Sequence, residues 1–147
     1  MAQVRRGWRS ERGAELVEFA IVAPILIFII AGIFEFGMMF RTLEIITNAA
    51  REGARVGVLP EYTQDVDVTT RVNAYLGASG LTCPTCTTVT NETIATGAGT
   101  FAARRVIVVY PYPFVVLGGF APFFGGSFGS INLRAAAVMR TETQATP

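Results

Sequence analysis

Hydrophobic and polar positions divide the chain into a long apolar helix and a mixed segment that follows it. Residues 19–40 include a single charged side chain, Glu35, and as a helix they extend about 33 Å, which is enough to span a bilayer. Residues 41–58 contain no proline and several alanines, so we expect the helix to continue beyond the membrane. The helix should end at Leu59-Pro60, because a residue that precedes proline disfavours the helical conformation.

A stripe of small residues runs along the C-terminal part of this helix. Ala49, Gly53 and Gly57 recur every four positions and therefore lie on one helix face. Small side chains let another element approach the helix backbone closely. We therefore predict that this stripe is a packing surface.

The sequence after residue 58 predicts a small α+β domain. A short helix is expected over residues 66–76, capped by Asp65 and ended by Gly77. Three β-rich runs follow, at residues 87–94, 105–112 and 131–139. We predict that they form a small antiparallel sheet packed on the long helix, because this region alone offers little apolar material for a core. The predicted fold class is α+β: one long N-terminal transmembrane helix, a short helix and a small antiparallel β-sheet domain.

Charge and composition predict the orientation and exclude common kinds of site. All 12 basic residues are arginine, and the chain has no histidine, which removes the commonest general base and metal ligand. We predict no catalytic residue, no metal site and no cofactor. Four of the arginines closely precede the apolar segment: Arg5, Arg6, Arg9 and Arg12. Positive charge beside a span marks its cytoplasmic side, so we predict a cytoplasmic N-terminus and an extracytoplasmic C-terminal domain.

The two cysteines, Cys83 and Cys86, allow three interpretations. A zinc site would need more ligands, and the chain has no histidine and no second cysteine pair. A thioredoxin-like redox site would need a βαβ context, whereas threonines flank this pair in a predicted loop. Outside the cytoplasm a structural disulfide is the default, and we favour it. A signal-anchored thiol–disulfide enzyme is the less favoured alternative.

Two further features keep two interpretations each. Glu35 lies near the outer end of the span, where it serves either as an interface anchor or as a contact between subunits. Residues 113–128 hold five phenylalanines interleaved with glycines, a run too short and too broken to span a membrane. They form either aromatic filling for the small core, which we favour, or an exposed patch that contacts another subunit or the bilayer surface.

The residues at the start of the span resemble a known processing motif. Gly13 is followed by four residues and then by Glu18 and Phe19, which resembles the class III leader of type IV pilin-like proteins. In those proteins a membrane peptidase cleaves after the glycine. The helix is also similar to the TadE-like pseudopilin family in the stretches 32–37 and 48–55. The resemblance covers roughly the first 58 residues.

This resemblance implies how the chain is processed and divided. A prepilin peptidase would cleave between Gly13 and Ala14 and remove the basic leader, residues 1–13. The mature chain would then contain a long helix over residues 14–58, with its transmembrane part at about 19–40, and a small extracytoplasmic α+β domain over residues 59–147. Because the basic cluster lies in the removable leader, we expect no nucleic-acid partner.

The resemblance further implies a function in assembly rather than catalysis. The chain is expected to be a minor pilin or pseudopilin of a tight-adherence (Flp-type) pilus or a related secretion apparatus, and so to contribute to cell adhesion. In such families the carboxylate that matches Glu18 is thought to pair with the N-terminal amine of a neighbouring subunit, so that Glu18 and Phe19 set the register. Expected partners are the cytoplasmic membrane, other pilin or pseudopilin subunits, the prepilin peptidase and pilus assembly platform proteins. The alternative is an unprocessed single-pass membrane anchor or adhesion module.

Overall fold

A computed structural model describes residues 7–62, 64–97, 99–126 and 129–141. The elements follow in the order α1 (Gly7–Gly57), α2 (Asp65–Ala78), β1 (Thr87–Thr96), β2 (Gly99–Pro113), α3 (Val116–Phe120), a 3-10 turn (Ala121–Phe124) and β3 (Ser130–Arg140). The predicted α+β fold class is confirmed. The predicted leader lies partly outside the described residues, and the predicted domain bounds stay predictions.

The described chain forms two compact units. The helical unit contains α1 as far as Gly37 together with residues 114–126. The sheet unit contains the described residues of 38–113 and 129–141.

The N-terminal part of α1 is long and apolar enough to cross a membrane. Over Gly13–Gly57, an 18-residue window has a mean hydropathy of 2.7, and only 6% of that window is buried. Large apolar side chains are exposed along its whole length, as on a surface that faces lipid or other helices. This supports a single-pass membrane protein. The helix continues through Pro24 without interruption.

The sheet unit contains a three-stranded antiparallel sheet with β2 in the centre. Side chains of β2 alternate between its two faces, so that Val106 and Val108 are buried while their neighbours are partly exposed. Val106 pairs with Ala137 of β3, and Val108 pairs with Ala135. The core forms on this face, against α2 and the C-terminal part of α1. The predicted strands are present: β1 is longer than predicted at its C-terminal end, and β2 and β3 are longer at both ends.

Two details of the predicted short helix are wrong. Asp65 does not cap α2: the N-cap residue is Gln64, which makes no side-chain capping bond, and Asp65 instead pairs with Arg104. Gly77 does not end the helix, which continues to Ala78. The chain turns at Gly80, whose φ is +79°, and the Leu81 N–H donates to the Leu76 carbonyl at 2.9 Å. This is a Schellman-type ending, for which Gly80 supplies the left-handed residue.

Candidate functional site

The residues of the predicted cleavage and assembly motif lie together on an exposed stretch of α1. Gly13, Ala14, Glu18 and Phe19 are all exposed, and the Phe19 side chain is 68% accessible. A methyl group added at Gly13 would meet no atom within 4 Å. Five residues of helix place Glu18 about 7.5 Å along the axis from Gly13. The geometry therefore leaves the motif open to a second protein.

Glu35 is buried, unlike most residues of this part of α1. Its side chain is 2% accessible, and its carboxylate accepts three consecutive backbone N–H groups. Val115 donates to Oε1 at 3.0 Å, while Val116 and Leu117 donate to Oε2 at 2.6 and 2.8 Å. Such charge-assisted bonds offset the cost of burying a carboxylate. The structure thus gives Glu35 an intramolecular partner, which neither sequence-based interpretation anticipated.

The segment that supplies these N–H groups packs on the same face of α1. The rings of Phe28 and Phe120 meet edge to face, with centroids 6.4 Å apart and an interplanar angle of 87°. Ala31 and Ala121 are both buried, and positions 28, 31 and 35 share one side of the helix. Of the side chains that the structure describes in this segment, none belongs to the core of the sheet unit. For these residues the favoured interpretation, filling of that core, is wrong.

The predicted stripe of small residues lies inside the sheet unit. Ala49 is fully buried. A Cβ added to Gly53 would lie 2.5 Å from a methyl carbon of Val72, on α2. Non-bonded carbon atoms do not approach each other so closely. A Cβ on Gly57 would lie 3.1 Å from Cδ of Arg104, on β2. In this structure, therefore, the element that approaches the stripe belongs to the same chain.

Arg104 is a buried charge that sequence reasoning missed. Its guanidinium donates through Nη1 to the carbonyl oxygens of Gly57, at 3.0 Å, and Tyr62, at 3.2 Å. Nη2 pairs with the carboxylate of Asp65. One strand residue thereby joins the last residue of α1, the connecting loop and the first residue of α2. The alternation of β2 was the sequence signal that could have revealed this burial. Arg104 lies two and four residues before Val106 and Val108, so its side chain is on the same, inward face of the strand.

A second ionic cluster lies on the surface between α1 and α2. Glu52 accepts hydrogen bonds from Arg55, at 3.0 and 3.1 Å, and from Arg71, at 2.6 and 3.0 Å. The bonds from Arg55 and then from Arg71 lower the pKa of Glu52 to about 2. With Leu59 and Tyr62, these side chains line a groove of about 490 Å³. The cluster ties α2 to the α1 helix.

This cluster predicts a dependence of stability on pH. The folded-state pKa of Glu52 is lower than the value near 4.3 of an unperturbed glutamate, so its contribution is present above about pH 4.3 and is lost as the pH falls towards 2. We expect a higher urea midpoint for the wild type than for Glu52→Gln at pH 6, with the difference shrinking below about pH 4. Near-UV circular dichroism of the detergent-solubilised chain measures both midpoints. A difference that persists unchanged at pH 2.5 would contradict this account.

Cys83 and Cys86 are joined by a disulfide, with their Cα atoms 5.5 Å apart. Cys86 is buried against the core of the sheet unit, and Cys83 packs beside it. The Cys86 N–H donates to the Cys83 carbonyl, and the Cys86 carbonyl accepts the N–H of Val109, on β2. The bridge therefore holds the turn that leads into β1. Among the described residues, no group of three potential ligand side chains could hold a metal ion.

The predicted residues thus lie in three separate places. The cleavage and register residues lie on exposed α1, the small-residue stripe lies in the core of the sheet unit, and the cysteines lie before β1. The structure adds Arg104 and the contact of Arg71 with Glu52, and it gives Glu35 a partner within the chain. A carboxylate in an apolar run signals a partner, but the identity of that partner depends on residues 80 positions away in sequence.

Comparison with protein families gives one match. Residues 13–55 match the TadE-like protein family, a range that lies wholly within α1 and begins at the glycine of the predicted cleavage motif. The resemblance stated from the sequence is confirmed over this range. Comparisons with curated proteins and with solved structures give no match.

Proposed function

We propose that this chain, whose residues 13–55 match the TadE-like protein family, is a minor pilin or pseudopilin in the assembly of a tight-adherence (Flp-type) pilus or a related secretion apparatus. The observation that carries the proposal is the family match, which includes the full Gly13-to-Phe19 motif on an exposed helix. The function is mechanical: the chain is processed, held in the membrane and then packed against other subunits.

Processing is the first step. A prepilin peptidase cleaves between Gly13 and Ala14, releases the arginine-rich leader and leaves a new α-amino group on Ala14. The exposure of this part of α1 supports access by the enzyme. A glycine at the scissile bond suits a narrow cleft, because it presents no side chain.

Retention in the membrane is the second step. The apolar part of α1 spans the cytoplasmic membrane with its N-terminus in the cytoplasm, as the arginines before it favour. Its exposed side chains include isoleucines on several sides of the helix. Lipid surrounds these side chains before assembly, and neighbouring helices pack against them after it.

Lateral packing is the third step, and Glu18 sets its register. An ionised carboxylate inside the span is costly unless it finds a partner, and the amine on Ala14 of a neighbouring subunit supplies the opposite charge. Phe19 lies next to it on the exposed helix surface. The sheet unit follows outside the membrane, where it is available to other pilin subunits and to assembly platform proteins.

The first test is the mass of the N-terminus. In cells that contain the peptidase, we expect intact-mass analysis to find a chain that begins at Ala14. Gly13→Arg should block cleavage nearly completely, because a long cation cannot enter a cleft shaped for glycine. Ser10→Arg is the matched control: it adds the same charge to the leader but leaves the scissile bond unchanged, and it should be processed.

Two outcomes distinguish the alternatives. Recovery of only full-length wild-type chain from peptidase-containing cells would overturn the processing step and favour an unprocessed membrane anchor or adhesion module. Turnover of a thiol substrate that is lost when the reduced cysteines are alkylated would favour a thiol–disulfide enzyme.

A further inference from the structure

A long stretch around α3 contains no charge. Between Arg105 and Arg134 every residue is uncharged. Its middle part, residues 114–126, we call the aromatic segment. Its Val115 side chain is 63% exposed, although it is as apolar as the side chains on the span. In a stretch without charge, an exposed apolar side chain suits an apolar environment.

The place where the aromatic segment docks indicates that environment. Its contacts are made to Phe28 and Glu35 of α1, and both lie inside the apolar stretch that ends before Arg41. Along a helix, Glu35 lies about 8 Å and Phe28 about 18 Å from Phe40. Half of a hydrocarbon core measures about 15 Å. With α1 across the bilayer, a segment packed at these positions lies in the hydrocarbon core, from the leaflet that α1 leaves near Phe40 to about the midplane.

Backbone N–H groups at both ends of the aromatic segment have hydrogen-bond partners within the chain. In hydrocarbon every N–H group without a partner is costly. The N–H groups of Val115, Val116 and Leu117 are taken up by the Glu35 carboxylate. At the other end, Gly125 and Gly126 donate to the carbonyls of Pro122 and Ala121, each at 3.3 Å. One buried carboxylate thus satisfies the N–H groups at the start of α3.

We propose that the aromatic segment is a second membrane-embedded element, a re-entrant turn that lies against α1 and extends from the leaflet that α1 leaves near Phe40 to about the bilayer midplane. Lipid hydrocarbon covers its outer side, and Glu35 anchors it. The chain is then held in the bilayer at two points of its sequence, and Glu35 is a docking residue for its own chain. This inference does not depend on cleavage or on pilus assembly.

Lipid quenching of a site-specific fluorophore tests the proposal. The full chain carrying Val115→Cys has one reactive thiol, because the native cysteines are joined. It is labelled with an environment-sensitive dye and reconstituted at low density into phosphatidylcholine vesicles that contain spin-labelled lipid. The substitution keeps the backbone N–H that Glu35 binds.

Two control positions calibrate the result. Ile33→Cys places the dye on the exposed surface of the span, and Ala95→Cys places it on exposed β1. We expect the dye at residue 115 to be quenched by lipid and blue-shifted, as at residue 33. Water-like emission without quenching, as expected at residue 95, would overturn the proposal. A blue shift without quenching would mean that a second copy of the chain covers the segment, and would overturn it also.

The anchor is tested in the same labelled chain. Glu35→Leu removes the acceptor of three N–H groups, which then need water. We expect lipid quenching at residue 115 to be lost and the emission to become water-like. Glu44→Leu, which changes an exposed glutamate of α1, should leave the quenching unchanged. Unchanged quenching in Glu35→Leu would overturn the anchoring role.

Discussion

Replacing Arg104 by methionine is expected to lower the stability of the sheet unit by about 3 kcal/mol. The methionine fills a similar volume but leaves the carbonyls of Gly57 and Tyr62 without the guanidinium that binds them. The loss should lie at the lower end of the range for broken buried pairs, because the Asp65 side chain is 63% exposed and regains water. The measurement is urea unfolding of the detergent-solubilised chain.

The chain offers a matched control for this variant. Arg105 is the next residue on β2, but its side chain is 38% exposed and pairs with Glu92 at 2.6 Å. Exposed ion pairs contribute about 0–1 kcal/mol, so Arg105→Met should change the midpoint little. Near-UV circular dichroism is a suitable signal, because all four tyrosines lie in the sheet unit. Equal midpoints for the two variants would refute the role given to Arg104.

The long elements could be predicted from sequence because local signals specify them. The apolar run and Leu59-Pro60 place the end of the long helix within one residue of Gly57, where the structure ends it. Valine, isoleucine and threonine in alternation place the strands, because a strand with one buried face has a period of two. These signals require no knowledge of any distant residue.

The contacts that join distant residues could not be predicted in this way. The position of Asp65 before the predicted short helix favoured a capping role. Its carboxylate instead pairs with Arg104, which lies 39 residues later in the sequence. Glu35 signals that it needs partners, yet its partners are backbone N–H groups, which every residue except proline carries. No side-chain pattern distinguishes residues 115–117 from other apolar stretches. The same limit applies to the aromatic segment, whose composition suits a core and a membrane equally.

Glu18→Ala is expected to abolish pilus assembly while leaving the subunit in the membrane. Insertion should be unchanged or improved, since the variant removes a charge from the start of the span. Cleavage after Gly13 should be largely retained, because Glu18 lies about 7.5 Å further along the helix. Pilus yield or adherence is measured in cells that express wild-type and variant chains at equal, processed levels.

Assembly should fail because a neighbour's α-amino group would enter apolar surroundings without a counter-charge. Leaving one member of a buried ion pair alone typically costs about 3–5 kcal/mol, which corresponds to a loss of more than about 100-fold in each association step. Glu15→Ala is the matched control, since it removes another exposed carboxylate of the same helix and should assemble. Glu18→Gln separates charge from hydrogen bonding: it should fail like the alanine variant if charge carries the contact. Assembly of Glu18→Ala at the wild-type level would exclude the register role and leave Glu18 as a residue that reaches the membrane interface.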